Sequence, residues 1–372
     1  VSLRRIAAAR GAWLTACLAA LGCGDNLAAP PDATGVPAPF QTAPHVPMPA
    51  MSDHAKIVLA DAQLVTVTFQ DDPARGAAEA FATAAMRSDW YRTVGAEYAV
   101  MNPRDKPPLT LHLPHAPAMV TRSDLAALVP STPVDDDQVL YLIFVPPAVQ
   151  RSADLLALRG YHGAVARGDQ QIAFAVVFED DVDRSATALT TNAGRQLINA
   201  VASPYPEPRD GYFLDPLATD PWSLVIGGPA DLCVGEAPVV EDGVAYPRVY
   251  SNAFAEVGFP CKPGSADDPW TDVTVKPARM PLVRRDTTAT FQLTGWSTYE
   301  ALDWQLDLRV SDRSAFTIDQ MHPMLSDVVI NNGRMVTLTL QVPPEAPSGA
   351  AGGVYVLSGV NRHPWAVGFV VQ

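Results

Sequence analysis

The chain has 372 residues, with 40 acidic against 26 basic side chains and a formal net charge of -14. That balance excludes nucleic acid as a partner, and it excludes electrostatic attachment to anionic lipid. The length and a 48% apolar content suffice for more than one buried core.

The chain opens with Arg4, Arg5 and Arg10, then runs without charge from Gly11 to Gly22 before reaching "LGCGDN". Residues 1–22 have the layout of a secretory signal ending at a small-residue cleavage site, and the uncharged run is shorter than the roughly 20 residues a spanning helix needs. Cys23 stands where bacterial lipoproteins carry the cysteine that is lipidated. The expectation is therefore an extracytoplasmic protein held at the outer membrane or cell surface by its acyl chains, with plain secretion as the alternative. Loss of the three signal arginines takes the charge from -14 to -17, because no acidic residue precedes Cys23. Membrane attachment then rests on the lipid alone. Residues 23–55, rich in Ala and Pro, read as an extended tether.

From Lys56, "KIVLADAQLVTVTFQ" supplies a strand with Leu64, Val65, Val67 and Phe69. "PARGAAEAFATAAMRSDWYRTV" reads as one helix, with Ala78, Phe81, Ala85 and Trp90 on its apolar stripe. "SDLAALV" is a short helix announced by Ser123. "QVLYLIFVPP" is a strand buried on both faces, and "QIAFAVVFED" is a further interior strand. Strands alternating with helices predict an α/β domain over 56–264. From Trp270 the pattern changes to "TATFQLTGW", "MVTLTLQVP", "GVYVLSGV" and "WAVGFVVQ", short alternating runs that predict an Ig-like β-sandwich over 270–372. The boundary falls in "KPGSADDP".

Cys17 lies inside the signal and Cys23 at its end, so the folded part keeps Cys233 and Cys261. In an oxidising compartment they are each other's partner, and the alternative is a pair of buried thiols.

"TTNAGRQLINAVASPYP", Thr190 to Pro206, is the segment that raises the question of chemistry. Taken with "VLYLIFVPP", "RGYHG", "QIAFAVVF", "PWSLVIGGPADLC" and "YSNAFAEVGFPCKP" in that order, it is similar to a family of secreted bacterial proteins with a zincin-like HExxE helix. More distantly it resembles the plant EXORDIUM, or phosphate-induced, proteins. The resemblance covers Lys56 to Pro263, and it implies that the α/β region is zincin-like. In the relatives the helix reads approximately S-H-E-L-x-E-A-x-T-D-P. Here Leu197, Ala200 and Pro204 match that framework. Arg195 takes the place of the histidine ligand, Gln196 of the general-base glutamate, and Asn199 of the second ligand. Downstream, Gly228 takes the place of an acidic residue in E-I-G-D-L-C, while Asp231 and Cys233 match.

The chemistry of those positions is clear. Residues four apart share one helix face, so 195 and 199 point together, and 196 reaches a bound water. A hydrolytic zinc site needs neutral imidazole or carboxylate ligands and a base. Arginine offers no lone pair, glutamine is no base, and an asparagine carbonyl is a poor lone ligand. No metal and no cofactor is expected. Leu189, Ala193, Leu197 and Val201 also recur at i+4, which alone makes an ordinary amphipathic core helix.

His162 in "RGYHG" matches the histidine of the family's GYH motif and is a candidate for the cleft, with Asp231, Asp215 or Asp220 as companions. Trp222, Tyr205, Tyr212 and Phe213 form an aromatic cluster after the helix, suited to sugar rings or a peptide if exposed and to a core if not. "FEDDVD" and "VDDD" lack EF-hand spacing and read as solvated loops. No P-loop, dinucleotide fingerprint, redox CxxC or G-x-S-x-G elbow occurs.

The expectation is a lipid-anchored surface protein that acts by binding, a pseudo-metalloprotease whose ligand is an envelope polysaccharide or an extracellular protein. The alternatives are a divergent metal-dependent hydrolase using His162 and the remaining aspartates, and an envelope scaffold.

Overall fold

The computed structural model describes residues 40–372 apart from 47, 55–56, 101–105, 131–137, 157, 180–182, 206–210, 215–218, 226, 257–259, 265–269, 312 and 360–361. The expected signal, Cys23 and the first part of the expected tether lie outside the described residues. So do all of "VDDD", Asp215, and the centre of "KPGSADDP".

Five strands make the central sheet of the α/β region: β1 (Gln63–Phe69), β2 (Leu109–Leu113), β3 (Val139–Val145), β4 (Gly160–Arg167) and β5 (Gln170–Phe178). Their order is β2-β1-β3-β5-β4; β1, β2, β3 and β5 run parallel, and β4 pairs antiparallel to β5 at the edge. All seven residues of β3 are buried, as its unbroken apolar run predicts, because both sheet faces are covered. Helices α1 (Arg75–Ala85), α2 (Asp89–Gly95) and α4 (Ala186–Ala202) line one face, where Leu140, Leu142 and Ala175 meet Phe81, Trp90, Leu197 and Val201. Helix α3 (Arg122–Ala127) covers the other, with Leu125 against Val67, Ile143 and Val176.

Two local expectations change. The single helix predicted before Val94 is interrupted, because Ser88 leaves the helical region and caps α2 by accepting the Tyr91 amide. Helix α3 is capped by Thr121, not Ser123, in a reciprocal capping box with Asp124.

The C-terminal part is a β-sandwich. One sheet holds β6 (Thr271–Lys276), β8 (Thr288–Ser297), β12 (Met335–Gln341) and β10 (Met324–Leu325), in that order. The other holds β7 (Leu282–Val283), β14 (His363–Val371), β13 (Ala351–Ser358), β9 (Trp304–Val310) and β11 (Val329–Ile330). Along β8 exposure and burial alternate from Thr288 to Leu293, the signature of one wet and one packed face. β13 and β14 do not alternate; they are buried almost throughout. Their outer face is covered by the turn Pro221–Leu224, where Trp222 packs edge-on against Trp365 at 5.6 Å and Leu224 lies over Gly353 and Gly368.

One apolar core therefore runs from the α4 side of the parallel sheet into the sandwich. The composition change near residue 270 is no break in packing. The expected tether also ends early, since the segment from Gln41 to His54 is a strap laid on the fold. The Ala43 amide donates to Asn332, and His45 inserts between Trp296 and Trp365 at centroid distances of 4.2 and 5.3 Å. Met48 and Met51 are buried, and Ser52–His54 pairs with Gly211–Phe213. Cys233 and Cys261 form a disulfide of 28 residues' separation. Closing such a loop contributes roughly 3 to 4 kcal/mol on the chain-entropy model, and bonds of this kind persist outside the reducing cytoplasm.

Candidate functional site

Helix α4 follows directly on β5. Ser185 caps it by accepting the Ala188 amide, and Leu189, Ala193, Leu197 and Val201 are buried along one stripe as their spacing predicts. Burial does not stop at that stripe. From Gln196 to Ala202 every residue is buried, because the helix is covered by the sheet on one side and by the hairpin Val239–Tyr246 and the loop Gly228–Leu232 on the other.

Four of the positions singled out by the resemblance come together. Arg195 Nε donates to Asp231 Oδ1 at 2.7 Å, and Asn199 Nδ2 donates to the same oxygen at 3.0 Å. The Gly228 amide donates to Asp231 Oδ2 at 2.9 Å, within a tight turn closed by Asp231 N to Gly228 O at 3.0 Å. Asn199 completes the ring by accepting the Ala230 amide at 2.8 Å. Both carboxylate oxygens of Asp231 are thus occupied by donors. A Cβ at Gly228 would lie 2.6 Å from Asn199 Oδ1, so the loop can approach α4 this closely only without a side chain there. Gln196 is buried over the backbone of Gly160.

His162 lies in a strand. It sits on the edge strand β4 opposite Ala175, with its Nε2 sealed from solvent and without a hydrogen-bond partner. Burial lowers its pKa, opposed by the nearby charge of Asp231 and a backbone hydrogen bond at Ser203, so the ring is neutral at pH 7. Among the described residues no group of three or more His, Cys, Asp or Glu is arranged to hold a metal ion.

Trp222 does not belong to this cluster. It is 6% exposed and fills the seam against β14, so its apolar area stabilises the junction with the sandwich and presents no face to a ligand. Asp220 caps that same turn by accepting the Trp222 amide. Tyr212 packs edge-on against Tyr98 at 5.0 Å, and the Tyr205 hydroxyl donates to Gln171 O. Trp222, Tyr205 and Tyr212 thus serve packing.

A second feature was not singled out by sequence. A cavity of about 650 Å³ opens beyond the carboxyl ends of the parallel strands, reached by Pro73 after β1, Pro147 after β3, Phe178 and Glu179 at the end of β5, and Ser185 at the head of α4. Glu179, the second residue of "FEDDVD", is no solvated loop residue: its Oε1 is sealed from solvent and its carboxyl is hydrogen-bonded to Asp72. Burial, with Asp72 beside it, pushes its pKa up to about 8.

No protein-family model matches the chain, and no curated protein does. A solved structure of the S-layer protein SbsC, domains 5-6, is similar at 17% identity over 28% of this chain and 45% of that one, with a TM-score of 0.22. The chain thus spans less than half the length of the solved protein it is compared with.

Proposed function

We propose that this chain is an extracytoplasmic binding protein, lipid-anchored through Cys23, whose α/β region descends from a zincin-like fold and whose former metal position is filled by an ion pair. The observation that carries this reading is the convergence of Arg195, Asn199, Gly228 and Asp231 into one closed hydrogen-bond ring. They are four of the positions that the resemblance marks, drawn from α4 and from a loop about 30 residues further along the chain; Gln196 and His162 are not in the ring. Their polar groups are engaged with one another, so the helix keeps the packing of a catalytic element without its chemistry. An Ig-like reading of the sandwich and the envelope as surroundings belong to the same proposal. The disulfide suits that compartment.

The arginine is not a free anion-binding group, since Asp231 neutralises it. The ligand of this protein is therefore to be sought away from α4 positions 195 and 199.

The test is zinc content after dialysis of the full chain against zinc, measured by atomic emission, together with casein hydrolysis. Neither is expected to exceed that of the Asp231→Asn variant. Stoichiometric zinc with cleavage lost in His162→Ala would overturn the reading and establish the hydrolase alternative, which is favoured by one observation, the unpaired Nε2 of His162.

A further inference from the structure

The parallel strands of the α/β sheet change direction of travel at one place. The connection from β1 leads outward to β2, whereas that from β3 leads the other way to β4 and β5, so the switch point lies between the neighbours β1 and β3. In open α/β sheets, ligands bind in the crevice beyond the carboxyl ends of the strands at such a point. The cavity of about 650 Å³ lies there, and its size is that of a pocket for a small organic molecule.

Its walls have two characters. Leu158, Leu189 and Phe178 are apolar, and Leu156, 61% exposed, places a further apolar side chain at the mouth. Three cations line the same space, Arg151, Arg159 and Arg184, against the acidic Glu179 and Asp183, in a chain whose net charge is -14. Arg151 is held in place by donating from Nη1 to Leu158 O at 2.9 Å and by lying 5.0 Å over the Phe178 ring. Its Nε and Nη2 have no partner among the described residues.

We infer that this cavity is the ligand site of the protein and that it takes a small amphipathic anion, a carboxylate or phosphate monoester on a short apolar body, with Arg151 holding the head and Leu156, Leu158 and Leu189 the body. This rests on the reading of the chain as a binding protein but not on the history of α4: zinc at α4 would leave the inference intact.

Glu179 adds a recognisable pH dependence. The charged groups around it are Asp72 beyond β1, Arg151 after β3, Arg159 at the head of β4, and Asp183 and Arg184 before α4. With its pKa near 8 it is neutral at pH 7, its carboxyl hydrogen-bonded to Asp72; above that it adds a negative charge to the wall, which repels an anion.

The experiment is calorimetric titration of the full chain with octanoate, octyl phosphate, octan-1-ol and octylamine at pH 7 and pH 9. Octanoate or octyl phosphate is expected to bind at least about tenfold more tightly than the alcohol or the amine, which of the two anions is tighter identifying the head group. Anion affinity is expected to fall at pH 9, and to become independent of pH in Glu179→Gln. Arg151→Gln is expected to weaken anions about tenfold. Leu156→Asp, at an exposed position that leaves folding unaffected, is expected to do the same should Arg151→Gln not fold. Equal binding of alcohol and anions, no anion binding at millimolar concentration, or affinities unchanged in both Arg151→Gln and Leu156→Asp would overturn the inference.

Discussion

Arg195 Nε and Asp231 Oδ1 stand 2.7 Å apart, joining the middle of a buried helix to a loop 36 residues further along the chain. The aspartate side chain is 9% exposed and the arginine 24%, so the pair is sheltered but the cation keeps some water. Asp231 also receives Asn199 and the Gly228 amide, whereas Arg195 has Asp231 as its partner. The two ends of the bond are therefore unequal. Asp231→Ala strands three donors and is expected to cost about 3 kcal/mol, while Arg195→Ala leaves the carboxylate two donors and is expected to cost about 1 kcal/mol. Urea unfolding of the two variants measures the difference; equal costs would mean that the ring is not centred on Asp231.

Gly228 and Asn199 depend on each other for space. Gly228→Ala places a methyl group 2.6 Å from Asn199 Oδ1, and the loop is expected to lose about 2 kcal/mol in unfolding free energy. Asn199→Ala removes the obstacle at the expense of the bond to Ala230 N. In the double variant the second substitution is expected to cost clearly less than it does alone, a coupling that a double-mutant cycle reads directly.

Stability is expected to fall as pH rises from 6.5 to 8. Glu236, pushed up to about 8 by burial, and Glu179, pushed up to about 8 by burial and Asp72, hold protons in the folded chain that the unfolded chain releases above the ordinary carboxyl value of 4.5. Stability from these groups is present at low pH and is lost as pH rises through that window. His45 and His162, both held below 6.5 chiefly by burial, act in the opposite sense, since the unfolded chain takes up their protons first as pH falls below 6.5. Between 6.5 and 8 the carboxyls act alone. The urea midpoint is expected to drop across that interval, and Glu236→Gln to flatten the drop; a midpoint that rises there would contradict the burial of both acids.

The strands were legible because a period of two, or an unbroken apolar run, is a local property. Val139–Val145 and Thr288–Ser297 could be read without knowing their neighbours. The interruption at Ser88 was hidden because Ala-rich residues before it and Trp90 after it keep a helical stripe running through a capping serine. The ring around Asp231 was half legible. Arg195 and Asn199 share a helix face by their spacing of four, but nothing in the sequence indicates that both would donate to Asp231, 36 residues beyond the arginine. Trp222 stayed open between a ligand face and a core, since an aromatic beside a candidate helix looks the same whether its far side meets solvent or β14. The cavity was not legible at all. Its lining comes from loops after β1, β3 and β5 and from the head of α4, and which loops meet is decided by strand order.

The strap from Gln41 to His54 also governs how tension enters the molecule. A pull applied at Phe40 meets Ala43 bonded to Asn332 and His45 clasped by two tryptophans before it reaches the pairing of Ser52–His54 with Gly211–Phe213. The sandwich takes up the load first. The parallel sheet and the cavity at its carboxyl ends are thereby shielded, so a protein tugged through its N-terminal side keeps the shape of its cavity while the strap yields.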